Sequence, residues 1–261
     1  MNRIKRTIQA FLKYRNLLRE LVIRDIKIRY RKSFLGLLWT VLNPLLMMIV
    51  ITFVFSTLFK SEIENFAVYF LSGNILFSLN SEATIQAQLS VLSNGALIKK
   101  VYIPKYLFPL SKVLSALVNF FFAFIAVTIV MVVTQAEFHT TMLLSFVPVL
   151  YLTLFSTGLG LLLSALTVYF RDLTHLYNVF ILAWMYLTPV FYPIDIVPES
   201  SRAVMEWNPM YKFITYFRML ILDGAIPSWQ MNLECLLFGL ISLIIGMYVF
   251  YKKQDKFILY I

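Results

Sequence analysis

Residues 33–59 read SFLGLLWTVLNPLLMMIVITFVFSTLF and contain no charged side chain. A helix of about 20 apolar residues is enough to cross the ~30 Å hydrocarbon core of a bilayer. The rest of the chain has a similar composition: 60% of its 261 residues are hydrophobic and only 14% are charged. Soluble domains carry about 25% charged residues. The sequence therefore predicts an all-α integral membrane protein.

Further runs with few or no charges follow this stretch. We expect residues 1–261 to form a single membrane domain with six transmembrane helices, because each run is long enough to span a bilayer. A basic segment, residues 1–32, precedes the spans, and a long stretch, residues 195–228, separates the last two. The six spans are predicted at residues 34–59, 66–90, 113–136, 141–169, 173–193 and 231–251.

The distribution of charge predicts the orientation of these spans. Nineteen of the 23 lysine and arginine residues fall on one side of the predicted membrane, and cytoplasmic loops carry an excess of such residues. Both termini are therefore expected in the cytoplasm. This topology explains the net charge of +10. We therefore expect the protein to contact membrane lipids and no nucleic acid.

Residues 1–32 have a pattern of their own. Apolar residues recur from Ile4 to Val22 with the 3.6-residue period of an amphipathic helix, which predicts a helix lying at the cytoplasmic interface. A simple positively charged anchor would explain the charge, whereas a docking role would also explain the ordered apolar face, and both interpretations remain open. The basic residues assigned to this interface are Arg24, Arg29 and Arg31.

The segment between the second and third spans is unusually apolar for a loop. Asn94-Gly95 and Pro104 are helix-breaking signals, and they delimit a short basic helix that carries Val101 and Tyr102. Exposed apolar residues on such a helix indicate a protein partner, although contact with lipid headgroups would explain them equally well.

The external stretch between the last two spans is punctuated by prolines. They delimit two predicted short helices, at about residues 200–206 and 210–222. The second is apolar, which is typical of a re-entrant or interfacial segment whose backbone packs in protein or lines a watery cavity. The alternative is an amphipathic loop that rests on lipid.

Few ionisable residues lie inside the predicted spans. Glu82 and His175 are too scattered for a proton relay, and we expect Glu82 to pair with a basic residue of the cytoplasmic side. Arg171 and Asp172 are expected to hold a turn between two spans. A role of these groups in gating or cargo entry remains open.

The sequence offers no candidate catalytic or metal-binding residues. One cysteine and two distant histidines form no metal-ligand pattern. The chain also lacks the GxxxxGK[ST] loop that cradles nucleotide phosphates. We therefore expect a transport protein, and no enzyme, that binds no cofactor of its own.

Six short motifs follow one another along the chain. They are RYRKSFLGLLW at 29–39, NPL at 43–45, KKVYIPK at 99–105, YFRDL at 169–173, PVFYP at 189–193 and WNPM at 207–210. In this order they resemble, over essentially the whole chain, the ABC type-2 permeases that export bacterial surface polysaccharides such as O-antigen, capsule, teichoic acid and rhamnan.

This resemblance implies a function and a set of partners. It implies half of a channel in the bacterial plasma (inner) membrane, completed by a second copy of the chain, that moves a lipid-linked glycan out of the cytoplasm. Two copies of a separate cytoplasmic ATPase would drive export, and that partner would use the ATP and Mg. By matching position, the ATPase-coupling residues would be Lys99, Lys100, Val101, Tyr102, Ile103, Pro104 and Lys105. The external gate would occupy residues 195–228 and include Trp207, Asn208, Pro209, Tyr211 and Phe217.

The cargo constrains the lining of such a channel. A polar, repetitive glycan must slide, which favours aromatic faces and scattered hydroxyl groups over fixed charges, although ordinary helix packing would explain any single ring as well. The candidate lining residues are Trp39, Tyr69, Phe70, Phe77, Trp184, Tyr186, Phe191 and Tyr192.

Other classes of protein remain as alternatives. A type-2 exporter of a small drug or lipid is the nearest, because the same fold serves smaller cargo. An ion-coupled secondary carrier is disfavoured by the missing intramembrane charges and the missing inverted repeat. A membrane enzyme acting on lipid-linked sugars would need a cluster of acids, and the spacing of Asp195, Glu199 and Glu206 prescribes no catalytic pair.

Overall fold

The computed structural model describes residues 2–31, 33–57, 63 and 65–261 of the chain. The end of the first predicted span, residues 58–59, lies outside the described residues. The described part is a bundle of α-helices without strands. Its helices are α1 Asn2–Tyr30, α2 Trp39–Thr57, α3 Phe66–Ser93, α4 Gly95–Lys100, α5 Leu107–Val133, α6 Phe146–Thr167, α7 Leu173–Tyr186, α8 Glu199–Glu206, α9 Pro209–Ile221, α10 Trp229–Lys253 and α11 Phe257–Tyr260.

Four helical stretches in the described part are long and apolar enough to cross a membrane. They are Gly36–Phe55, Leu107–Val133, Thr140–Thr167 and Trp229–Tyr260. Helix α3 has 28 residues but is too polar to qualify, and α7 has only 14 residues. The prediction of an all-helical membrane protein is confirmed, while the crossing of the bilayer by α3 and α7 stays a prediction.

Helix α7 is shorter than the predicted span at residues 173–193. It ends at Tyr186, and the chain then turns through residues 187–192. Pro189 and Pro193 account for this, because proline lacks the N–H needed in a helix interior and disfavours helical geometry at the preceding residue. The absence of charge, which suggested one long helix, gives no information on these backbone constraints.

Helix α3 lies at the centre of the bundle. It packs along α5 and α6, and it also contacts α2, α7 and α9. Its side chains Phe70, Leu71 and Leu76 are fully buried in the main hydrophobic core. Burial in protein keeps the polar groups of α3 away from lipid. Asn80 Oδ1 accepts from Ser156 of α6 over 2.9 Å and Thr84 Oγ1 accepts from Tyr177 of α7 over 2.8 Å, whereas the amide of Gln88 has no hydrogen-bond partner among the described residues.

Helices α6 and α10 run together at very short distance. A side chain on Gly246 would overlap the backbone carbonyl of Gly158 in the facing helix. Gly239 makes a second close approach, to the backbone of Tyr151. Small residues at such contacts let two membrane helices approach through their backbones, so α6 and α10 form one stiff pair.

A second, smaller core closes one end of the bundle. Leu18 and Leu21 of α1, Phe108 of α5, and Phe250 and Phe257 near the end of the chain are buried together there. The helix predicted in residues 1–32 is present as α1, and Leu18 and Leu21 of its apolar face pack against protein, while its position at the cytoplasmic interface stays a prediction. We call this the basic end, because Lys99, Lys105 and Lys253 lie on the elements that meet there.

Candidate functional site

A polar cleft of about 480 Å³ opens between α1, α2, α3 and α5. Arg29 and Glu82 stand on its wall, and Trp39, one of the candidate lining residues, also borders it. The remaining polar groups in the wall are amides and hydroxyls. They belong to Thr40, Asn43, Asn74, Ser78 and Asn119.

Glu82 is the centre of a hydrogen-bonded cluster in this cleft. Arg29 Nη1 of α1 lies 2.5 Å from Glu82 Oε1. Asn119 Nδ2 of α5 and Gln86 Nε2 donate to the same oxygen over 2.6 and 3.1 Å. The predicted pairing of Glu82 with a basic residue is confirmed, while the position of that residue on the cytoplasmic side stays a prediction. The contribution of Asn119 was not foreseen.

The predicted coupling segment, residues 99–105, lies at the basic end. Helix α4 ends at Lys100, and Val101 has extended geometry, so Pro104 finds the non-helical backbone it needs. Ile98 is buried in the smaller core, while Val101 is exposed and Tyr102 is 93% exposed. A short helix is present between Asn94-Gly95 and Pro104 as expected, but Val101 and Tyr102, which were expected on it, lie in the extended stretch that follows Lys100. Together with Lys99 and Lys100 they give this segment an apolar and basic outer face.

Residues 254–261 contact the predicted coupling segment. The sequence pattern did not suggest this contact. Lys105 Nζ donates to the backbone oxygen of Gln254 over 2.6 Å, and Lys99 Nζ donates to that of Ile261 over 2.5 Å. Phe257 is fully buried beneath them, with Lys105 Nζ 5.8 Å from its ring centre. The 254–261 segment therefore fixes the position of the coupling segment.

Tyr169, at the end of α6, ties the same elements together. Its hydroxyl donates to the backbone oxygen of Lys253 over 2.9 Å, and its ring lies 4.7 Å from that of Tyr260.

Helix α1 reaches α4 and α5 through charged groups. Lys112 Nζ of α5 lies 2.9 Å from Asp25 Oδ2, and Arg24 Nη2 lies 3.4 Å from both Asp25 Oδ1 and Asn94 Oδ1. Of the three predicted interface residues, Arg24 and Arg29 hold α1 to the bundle, while Arg31 is exposed.

Asp172 stands at the N-cap position of α7 without a side-chain capping bond.

Five of the eight candidate lining residues cluster at the end of the bundle opposite the basic end. The Tyr69 hydroxyl donates to the backbone oxygen of Tyr192 over 3.0 Å. The ring of Phe191 stacks on Phe70 at 5.6 Å and on Tyr186 at 6.0 Å. The structure thus brings α3 and the turn after α7 together through aromatic side chains.

The other three lining candidates lie elsewhere. Phe77 and Trp184 form an edge-to-face pair with centroids 6.3 Å apart, and Trp39 lies in the polar cleft. Phe70 and Phe77 are only 0% and 3% exposed, so within one chain they act as packing residues. Tyr186, by contrast, is exposed.

The predicted gate region contains the two expected short helices, α8 and α9. Asn208 caps α9 by accepting from the backbone N–H of Met210 over 3.0 Å, and Pro209 occupies the first turn. Asn208 also accepts from Trp184 Nε1 over 2.8 Å and so ties α9 to α7. Of the other predicted gate residues, Trp207 is exposed, Tyr211 is half-buried and Phe217 is fully buried.

Arg218 of α9 is a buried cation. The sequence analysis did not select it as a candidate residue. Its guanidinium donates to the backbone oxygens of Tyr69, Pro189 and Val190 over 2.9, 2.8 and 3.1 Å. It also lies 3.5 Å from the ring centre of Tyr69, a favourable cation–π arrangement. A lone arginine in the apolar sequence of α9 was the only available signal, and the residue joins α3, α9 and the turn after α7.

Helix α9 is also tied to α10. Lys212 Nζ lies 2.9 Å from Glu234 Oε2, and the Tyr216 hydroxyl donates to Asn232 Oδ1 over 2.9 Å. No three His, Cys, Asp or Glu side chains of the described part approach closely enough to hold a metal ion.

Comparison with known proteins identifies the family. Residues 16–222 match the family described as ABC-2 type transporter, so the chain belongs to the ABC-2 type transporter family. The resemblance suggested by the six motifs is confirmed.

Three relatives are similar over nearly their whole length. The O-antigen export system permease protein RfbA of Myxococcus xanthus is 29% identical over 97% of this chain and 98% of its own. RfbA of Klebsiella pneumoniae is 28% identical over 90% of each chain. The polysialic acid transport protein KpsM of Escherichia coli is 19% identical over 90% of this chain and 92% of its own.

Proposed function

We propose that the chain is the membrane-spanning permease subunit of an ATP-driven exporter that moves a lipid-linked surface polysaccharide, or a teichoic-acid-like polymer, out of the cytoplasm. The observation that carries this proposal is membership of the ABC-2 family together with full-length similarity to O-antigen and polysialic acid transporters. An exporter of a small drug or lipid is the alternative within the same family.

In this proposal six helices cross the bacterial plasma membrane and both termini are cytoplasmic. The four long apolar stretches are joined by α3 and by the α7 region, residues 173–193. Placing the basic end in the cytoplasm agrees with the excess of lysine and arginine there. The burial of most of α3 inside the bundle supports its role as a span despite its polar residues.

A second copy of the chain is proposed to complete the channel. The centre of the single chain is filled by the buried side chains around α3, so a path for a polar polymer has to run beside the chain. Helix α2 offers a broad apolar surface for this, because Met47, Ile49 and Phe53 are more than half exposed. The aromatic candidates Trp39 and Tyr186 are exposed enough to face such a path.

Energy is proposed to come from two copies of a cytoplasmic ATPase, which bind the ATP and Mg. The exposed face of residues 99–105 is the proposed contact, with Tyr102 as its apolar anchor and Lys99 and Lys100 as its charges.

Residues 195–228 are proposed as the external gate, held by Asn208 and Arg218.

A pull-down of the tagged protein from its native membranes tests this proposal. We expect mass spectrometry to identify an ATPase with a P-loop in near-equal amount, and depletion of the protein to remove a surface glycan. Lys99→Glu with Lys100→Glu should weaken ATPase co-purification, while Arg171→Glu, an exposed base of the neighbouring turn, should not. Absence of any ATPase after crosslinking would contradict the proposal.

A further inference from the structure

The polar cleft between α1, α2, α3 and α5 combines hydroxyl and amide groups with a wall that is otherwise mostly apolar and includes Met47, Ile75 and Phe120. We propose that it is a subsite for a neutral sugar residue of the exported glycan, an inference that rests on the proposed function. Its volume of about 480 Å³ lies within the range of about 300–1,000 Å³ that small-molecule sites occupy. The sequence assigned only Trp39 of its wall to the cargo.

The charges of the cleft favour a neutral ligand over a phosphate. Among the described residues of the wall Arg29 is the one cation, and it already lies 2.5 Å from Glu82. An incoming phosphate would meet the carboxylate of Glu82 at the same place, and like charges at short range repel each other. A sugar hydroxyl carries no charge, and it can both donate to a carboxylate and accept from an amide.

Asn119 supplies the clearest acceptor for such a hydroxyl. Because the Glu82 carboxylate only accepts, the amide NH2 of Asn119 must face it, and it does so over 2.6 Å. The other end of the amide, Oδ1, is then a buried acceptor that finds no partner among the described residues. Buried acceptors are normally satisfied. Asn119 lines the cleft, and a hydroxyl donor that reached Oδ1 from the cleft would satisfy this one.

The rest of the wall complements a sugar ring. Asn43 on α2 and Ser78 on α3 offer donors and acceptors across the cleft. Trp39 is partly exposed at the same wall and offers an aromatic face, which suits the apolar side of a sugar ring. Because Arg29 and Glu82 are already paired with each other, neither is left to bind a sugar strongly. The site would therefore release each sugar residue as the glycan moves on.

The position of the cleft agrees with this role. Arg29 lies near the end of α1, and Trp39 begins α2, so the cleft borders the entry of the chain into the first span. In the proposed topology this is the cytoplasmic half of the membrane, where cargo arrives. The subsite would therefore meet the glycan early in export.

Ligand-detected NMR on the purified full chain in lipid nanodiscs tests the subsite. The probe is the oligosaccharide released by mild acid from the surface glycan of the source cell, which carries neither lipid nor pyrophosphate. We expect saturation transfer to this probe and a loss of affinity of about fivefold, equivalent to one hydrogen bond, in Asn119→Leu. Asn43→Leu, at an exposed position of α2 where folding is not at risk, should weaken binding similarly.

The matched control is Asn178→Ala, an exposed amide of α7 outside the cleft, which should bind like the unmodified protein. Unchanged binding in both Asn119→Leu and Asn43→Leu would overturn the proposal, as would absence of binding at millimolar probe. Displacement of the probe by inorganic pyrophosphate would overturn it in favour of an anion site. If the ATPase co-purifies but the probe does not bind, only the subsite fails; if the probe binds without an ATPase partner, only the proposed function fails.

Discussion

Replacing Phe257 with alanine is expected to release the 254–261 segment from the coupling segment while the bundle stays folded. The Phe257 ring is fully buried, 5.3 Å from the ring of Phe250 and 6.1 Å from that of Tyr169. Truncating a buried phenylalanine to alanine costs about 3–5 kcal/mol. The segment is short and lies at the edge of the bundle, so this loss acts on its local docking and leaves the main core intact.

The lower figure of about 3 kcal/mol corresponds to a change of about 100-fold in the ratio of docked to detached segment. Hydrogen exchange of the amides of residues 257–261 measures this ratio, and we expect it to accelerate by a comparable factor in Phe257→Ala. Leu259→Ala is the control, because Leu259 lies in the same helix but is 79% exposed. Its exchange should match that of the unmodified protein.

The same variant tests the connection between the segment and coupling. If residues 254–261 hold Lys99 and Lys105 in place, Phe257→Ala should also reduce co-purification of the ATPase. Exchange that remains slow in Phe257→Ala would refute the packing argument. Fast exchange with undiminished ATPase binding would show that the contact exists but does not position the coupling segment.

Three further predictions concern the interior of the bundle. Arg218→Met should lower stability by about 2 kcal/mol in thermal unfolding, because the buried carbonyl groups of Pro189 and Val190 lose their donor at about 1 kcal/mol each, while that of Tyr69 keeps Ser72; an unchanged melting temperature would contradict the assignment. Glu82→Gln should destabilise by about 1 kcal/mol, since the pair with Arg29 is partly exposed, and a double-mutant cycle with Arg29→Gln should give a coupling energy clearly above zero. Gly246→Leu should abolish monodisperse protein in size-exclusion chromatography, because any side chain there overlaps the backbone of α6; Ile245→Leu, at an exposed neighbouring position, should elute normally.

The parts of the fold that were predictable depend on local signals. The 3.6-residue period predicted α1, the breaker Asn94-Gly95 marked the start of α4, and the prolines of the stretch 195–228 separated α8 from α9. The sequence also allowed the prediction that Glu82 pairs with a basic residue, because a lone carboxylate in a span needs a base within reach. It did not identify which base. Each of these signals lies within a short piece of sequence.

The contacts that were not predicted join residues far apart in the chain. Lys105 and Gln254 are 149 residues apart, and no periodicity connects them. Asn119 and Arg218 belong to apolar runs in which a single polar residue has many possible partners, and only the packing of the helices selects one. The assignments of coupling, gate and channel-lining residues remain predictions for the same reason, because they depend on chains beyond this one.

The close backbone contact of α6 and α10 has a mechanical consequence. Helix α10 is 25 residues long, and at about 1.5 Å per residue it is a rod of about 37 Å. Gly246 and Gly239, about 10 Å apart along this rod, both hold it against the backbone of α6. Two such contacts prevent a pivot, so α10 can move only together with α6. A displacement of the 254–261 segment would therefore reach Glu234, which pairs with Lys212 of α9, with its size and direction unchanged.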